Sequence, residues 1–201
     1  MMVRPARGAE TAARVLDVAQ RLVQVRGFNG FSYADVAAEL RITKAALHYH
    51  FASKAELGVA LMDRYCDRLA ANLAGLAAAD PSGPARLRGY AALYRNMLRS
   101  ERMCLCGMLA AEFQTLAPDM QSAVVRFFTL NEDWLAGVLS DGAAAGELQL
   151  AAPARDIAVA LVAGLEGAML VSRPFNDMAR FEAAAGPILA ALTGTLVSAS
   201  D

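Results

Sequence analysis

Lysine and histidine are almost missing from this chain. Among its 201 residues there are 2 histidines, His48 and His50, and only two lysines, Lys44 and Lys54. Outside the stretch those four residues span, arginine alone carries positive charge. The remaining serines and aspartates therefore have no imidazole to act as base, and no glycine-rich phosphate loop occurs, so no enzyme is expected. His48 and His50 are two positions apart and would lie on different faces of a helix, so no shared metal is expected, and no cofactor is called for. Cysteine is scarce too. Its 3 copies include the close pair Cys104 and Cys106 and make no disulfide framework, which points to a reducing cytoplasm. Charges interrupt every apolar run before the roughly 20 residues needed to cross a bilayer. Met1 to Glu10 is basic without the apolar core of a signal peptide. Sustained period-two alternation is absent, and no segment reads as a strand.

What is present is apolar and helical. Hydrophobic residues make up 56% of the chain and mean hydropathy is +0.33, enough for a large core or an apolar interface between copies. The net charge of −1 hides an asymmetry. Up to Lys54 there are eight cations against four acids, whereas the remainder is acidic. A basic end on an acidic body is the pattern of a protein that meets DNA with that end.

The capping signals organise the basic end. Ser32 with Asp35 opens a helix that runs to about Leu40, Arg41-Ile42-Thr43 forms a tight turn, and Thr43 caps a helix starting at Lys44. Ser53 with Glu56 starts the next one. The first helix, from about Ala9 to Val25, ends before Gly27, which suits the left-handed position after a helix. This outline is a helix-turn-helix, whose second helix enters the major groove. On that helix Leu47 and Phe51 should pack inward, leaving Lys44, Ala45, Ala46, His48 and Tyr49 facing a groove. Lys44 can reach a guanine edge or a phosphate, Ala46 a thymine methyl, Tyr49 a phosphate, and Lys54 is expected to neutralise a phosphate.

Six more helices follow, starting near Ser53, before Leu87, and at about Leu105, Asp119, Pro153 and Asp177, the last expected to end near Val197. The small-residue stripe Ile157, Ala160, Leu161, Gly164, Leu165, Ala168 and the last helix's Ile188, Leu189, Leu192 and Leu196 are expected to form a four-helix homodimer interface. Cys104 and Cys106, after Arg99 and Arg102, raise the alternative of an electrophile- or redox-sensing regulator, with Cys106 as the reactive thiol. A different alternative is a helical ligand-binding protein or enzyme with an incidental basic end.

Gly27-Phe28, Ser32 to Ala37 and Ile42 to Leu57 resemble, in order and spacing, the N-terminal signature of the TetR family of bacterial transcriptional regulators. The resemblance implies an all-α fold with a DNA-binding domain over residues 1–52 and a ligand-binding and dimerisation domain over 53–201. It implies a repressor that binds double-stranded operator DNA as a homodimer and leaves a palindromic operator when a small-molecule effector binds. DNA contacts are then expected from Ser32, Tyr33, Thr43, Lys44, Ala45, Ala46, His48, Tyr49, His50 and Lys54, with His50 facing the backbone. An effector site is expected among Tyr94, Met97, Cys106, Leu109, Phe113, Phe127, Phe128 and Trp134. Three positions depart from the family pattern. Arg41 stands where the turn usually has glycine and is expected at positive φ or in a reshaped turn. His48 replaces a usual tyrosine, and Ala34 a residue that often reads a base.

Overall fold

The computed structural model describes residues 7–193. Leu196 and the expected helix end at Val197 lie outside them. The described residues form nine α-helices and no strand. These are α1 (Arg7–Arg26), α2 (Tyr33–Leu40), α3 (Lys44–His50), α4 (Lys54–Ala79), α5 (Gly83–Arg99), α6 (Leu105–Ala111), α7 (Pro118–Ala144), α8 (Ala154–Ser172) and α9 (Met178–Thr193). They are joined by short turns, two of which are single turns of 3-10 helix at Phe113–Thr115 and Arg173–Phe175.

The chain divides into two compact units, and the division does not fall at residue 52. The first comprises 1–67 with 105–125, the second 68–104 with 126–201. Helix α4 therefore begins in one unit and ends in the other. The reason α6 joins the N-terminal helices is visible at Gly27. This residue sits at φ 84°, donates its N–H to Val23 O at 2.9 Å, and ends α1 as the glycine position requires. Its bare Cα lets the Glu112 carboxylate in: a Cβ there would lie 2.6 Å from Glu112 Oε1. Glu112 accepts from the backbone N–H of Phe28 (2.7 Å) and of Asn29 (3.2 Å), while Asn29 Nδ2 donates to Thr115 Oγ1 (2.8 Å). Val15, Ala19, Leu22, Val23, Phe28, Phe31, Val36, Leu47, Leu57 and Leu61 fill this unit's core.

In the second unit α5, α8 and α9 pack on one another. Leu87, Tyr90, Leu135, Leu139, Leu161, Leu165 and Phe181 are sealed from solvent. Arg95 of α5 pairs with Glu182 of α9 through both nitrogens of its fork, Nη2 to Oε2 at 2.9 Å. That pairing holds the Glu182 carboxyl below its ordinary range. A polar thread runs through the core. Tyr90 donates to Asn131 Oδ1 (2.7 Å), Asn131 Nδ2 donates to Phe127 O (2.8 Å), and the Tyr90 and Tyr94 hydroxyls are 3.2 Å apart.

Candidate nucleic-acid interface

Seven residues are too few for a helix to stand alone in water, so α3 depends on what holds it. Thr43 caps it, its Oγ1 accepting from Ala46 N at 3.1 Å. Leu47 is wholly buried, and Phe51 closes the helix behind it. The far end is tied by Tyr33 of α2, whose hydroxyl faces Phe51 O at 2.9 Å and Ser53 O at 2.6 Å. Burial, and after it the Glu56 carboxylate, pushes the Tyr33 phenol up to about 12, so the hydroxyl stays a donor across the physiological range. At the start of α4 half of the expected Ser53–Glu56 box forms, Glu56 N donating to Ser53 Oγ at 3.1 Å, while the Glu56 carboxylate accepts from Ala52 N at 3.0 Å, one residue ahead of the cap.

The turn between α2 and α3 carries Arg41 in the left-handed region, φ 55° and ψ 44°. Ile42 N reaches back to Ala37 O at 3.0 Å, which ends α2 in the manner that normally takes glycine. The expected strain is therefore present, and the guanidinium that accompanies it is solvent-exposed beside α3.

The outward face of α3 presents Lys44, Ala45, His48 and Tyr49, all exposed, with Tyr49 at 86%. Ala46 and His50 are half-buried, His50 lying edge-on to Tyr49 at 5.3 Å. His48 packs on Tyr33 at 4.7 Å, and its Nδ1 lies 3.1 Å from Ala52 O. Because a carbonyl only accepts, Nδ1 is the donor in that bond. Ser32 donates to Asp35 Oδ2 at 2.6 Å and so starts α2. Ser32, Tyr33 and Thr43 thus serve the scaffold with the groups expected to touch DNA.

Lys54 departs from expectation altogether. Its ammonium turns inward, donating to the carbonyls of Phe28 and Phe31, and sits 4.6 and 4.4 Å from their ring centroids. Burial pulls its pKa down, with Glu112 and Asp35 opposing. Two backbone acceptors in the loop between α1 and α2 outcompete solvent, and the charge is spent inside the unit. The aromatic pair three residues apart, Phe28 and Phe31, was the signal for such a cage.

Most of the stripe expected at an interface between copies is already covered within the protomer. Leu161, Leu165, Ala168 and Leu192 are buried within the protomer, and a Cβ on Gly164 would meet Ile188 Cδ1 at 2.7 Å. Those residues are the inner face, where α8 packs on its neighbours. Ile157 is half-buried, and of the stripe on α8 only Ala160 is exposed. The face open to solvent holds Val159, Ala163, Leu170 and Val171, with Leu170 at 58%. Helical spacing alone does not say which side of an almost wholly apolar helix turns inward.

The expected effector residues divide between the units. Cys106, Leu109 and Phe113 belong to the first; Tyr94, Met97, Phe127, Phe128 and Trp134 to the second. A cleft of about 280 Å³ in the second unit, lined by Leu98, Met103, Ser172 and Met178 among others, includes none of them. Cys104 and Cys106 are buried, at 1% and 0% exposure, so the rapid alkylation expected of Cys106 has no access. Sequence reasoning passed over Glu166. It is the only charge between Ile157 and Val171, and an acid alone in so apolar a run was the available signal.

Comparison with known proteins agrees with this architecture. Residues 15–61 match the family of bacterial regulatory proteins named for TetR, and residues 83–186 match the tetracyclin repressor-like C-terminal domain. A TetR-family transcriptional regulator from Agrobacterium tumefaciens has the same fold at a TM-score of 0.90. It is 32% identical, over 92% of this chain and 99% of its own. A TetR transcriptional regulator from Legionella pneumophila gives 0.81 and 31%, over 94% and 97%. Transcriptional regulator AcuR of Cereibacter sphaeroides is 28% identical over 150 residues, 72% of this chain and 68% of that protein. The helix-turn-helix held by Thr43, Leu47 and Tyr33, on a chain matched along both parts, belongs to the TetR family of ligand-responsive, DNA-binding transcriptional regulators, and is not an enzyme.

Proposed function

We propose that the chain acts in the cytoplasm as a homodimeric repressor, placing two copies of α3 in successive major grooves of a palindromic operator. The exposed set Lys44, Ala45, His48 and Tyr49, on a helix fixed at both ends, carries this reading. Lys44 at the first turn of α3 addresses a base edge or phosphate, Tyr49 donates to a phosphate, and Arg41 adds charge beside them. Two copies associate through the exposed apolar faces of α8 and α9. A small molecule taken up among the aromatic residues of the second unit, Tyr94, Phe127 and Trp134 included, favours a dimer whose α3 helices no longer match the half-site spacing. Half-sites lie one helical turn of DNA or a multiple of it apart, so a modest change in separation weakens binding.

Selection of bound sequences from random duplex DNA tests the docking. A palindrome should emerge, and Lys44→Ala should bind it about tenfold or more weakly while folding normally. Tyr49→Phe should lose affinity uniformly across sequences, as a phosphate contact does. Wild-type affinity in the Lys44→Ala variant would overturn the assigned face.

A further inference from the structure

The cleft of about 280 Å³ in the second unit lies where the end of α5 and the turn after it meet the junction of α8 and α9. Leu98, Met103 and Met178 give it apolar walls, while Arg102, Ser172 and Asn176 bring hydrogen-bond donors. Glu101 and Asp177 also line it, and both are exposed. Of the three non-glycine residues at positive φ among the described residues, two belong to this cleft, Glu101 at 56° and Asn176 at 47°. The turns that carry them are pinned by backbone. Glu101 N donates to Leu98 O at 2.8 Å, Arg102 N to Met97 O at 3.0 Å, and Asn176 N to Arg173 O at 3.0 Å.

Two groups on these walls are left without partners. Ser172, the last residue of α8, is 2% exposed, and its Oγ is shut off from solvent with no hydrogen bond. A helical hydroxyl has a ready outlet in the carbonyl four residues before it. Ser100, Ser122 and Thr193 use that outlet, at 3.0, 3.0 and 3.2 Å, and Ser172 does not. Buried hydroxyls are nearly always paired, so one left bare on a cleft wall marks the place of a partner from outside the fold. The second group is Arg102. It is half-buried, and its guanidinium joins no ion pair or side-chain hydrogen bond among the described residues. The acids of the cleft do not answer it. Asp177 Oδ1 accepts from Ala179 N at 2.9 Å and so starts α9, and Glu101 faces water.

We infer that this cleft binds a small monocarboxylate carrying a short apolar group. The carboxylate accepts from the Ser172 hydroxyl and pairs with the Arg102 guanidinium, and the apolar group lies against Leu98, Met103 and Met178. Ligand pockets begin at roughly 300 Å³, so a cleft of this size takes only a small guest. Glu101 and Asp177 repel a second negative charge and so disfavour dicarboxylates. An ammonium would bring no acceptor to either Arg102 or Ser172. The site is separate from the aromatic one proposed above and does not rest on it, since none of those residues lines the cleft.

Titration calorimetry of the full chain with propionate, hexanoate and benzoate tests this, with hexylamine, adipate and inorganic phosphate as contrasts. At least one monocarboxylate should saturate a single site per protomer, and each contrast should bind about tenfold or more weakly. Arg102→Met should weaken that monocarboxylate about tenfold or more. Ser172→Ala should weaken it about threefold or more while melting no lower than wild type, because the hydroxyl it removes is unpaired without ligand. No saturable binding of any of the three below about 10 mM overturns the site. So does equal or tighter binding of the amine, adipate or phosphate, or unchanged affinity in Arg102→Met. If that variant does not fold, Ser172→Ala and the wild-type order of preference decide, and unchanged affinity in Ser172→Ala overturns the site.

Discussion

The two units handle polar groups in opposite ways. In the first, polar side chains are consumed by backbone: Lys54 by two carbonyls, Glu112 by two N–H groups, Tyr33 by the end of α3, Thr43 by its start. Each such bond fixes a loop, and together they present a small exposed face in one geometry. In the second, polar side chains meet other side chains within the core, Tyr90 with Asn131 and Tyr94, and one carboxyl oxygen has no partner. Backbone-directed bonds make a rigid display. A side-chain network with an unfilled position can exist in more than one arrangement of its protons. The division suits a regulator that must hold one surface still and answer a ligand elsewhere.

The sharpest way to break this comparison is at the surface between copies. Gly167→Glu, on the open side of α8 where an added Cβ meets nothing within 4 Å, should leave the protomer folded and dissociate the dimer. Operator affinity should fall on the order of a thousandfold or more, because one module buries too little DNA surface. Gly164→Glu should instead disturb α8 against Ile188 of the same protomer and lower the melting temperature. Sedimentation separates the two outcomes, and an intact Gly167→Glu dimer would remove this face from the interface.

Lys54→Met probes the rigid unit. The change strands the Phe28 and Phe31 carbonyls and should cost about 1–3 kcal/mol, read as a lower thermal midpoint. The slope of affinity against salt should not change for the folded fraction. A slope reduced by about one unit with unaltered stability would return Lys54 to the DNA surface.

Glu166→Gln probes the other unit through pH. A carboxyl whose folded pKa is raised stabilises the protein below its unfolded value of 4.5, and that contribution is lost as pH rises. The Gln variant, which cannot ionise, should therefore melt higher than wild type at neutral pH, with the gap closing toward pH 4.5. Parallel melting profiles across that range would mean Glu166 is not protonated in the resting chain.

The smallest effect is expected at Arg41. Glycine tolerates the left-handed region without the cost of a Cβ, so Arg41→Gly should gain up to about 1 kcal/mol in stability while losing some DNA affinity at low salt. Equal affinity at low salt would show that the guanidinium has no part in binding.

The fold was legible because its signals are local. Ser32, Thr43, Ser53 and Gly27 mark helix ends by chemistry that acts within three or four residues, and each end falls close to its signal. The inward positions Leu47 and Phe51 were legible for the same reason. What failed was non-local. Lys54 is claimed by carbonyls at Phe28 and Phe31, more than twenty positions upstream. The inner side of α8 depends on which helix packs against it, and periodicity in a helix apolar on most sides contains no such information. Glu112, joined to the loop after Gly27 across more than eighty residues, left no mark in either local pattern.

Helix α3 contributes one wholly buried side chain, Leu47, to the unit that carries it. Its solvent-facing positions 44, 45 and 49 can be exchanged without touching the core, so under the proposed docking a new operator word would cost the scaffold almost nothing. His48 is the exception, since replacing it also removes a packing partner of Tyr33 and a bond to Ala52. A library built on this chain to retarget it should vary the first three freely and treat His48 and Tyr33 as one linked choice.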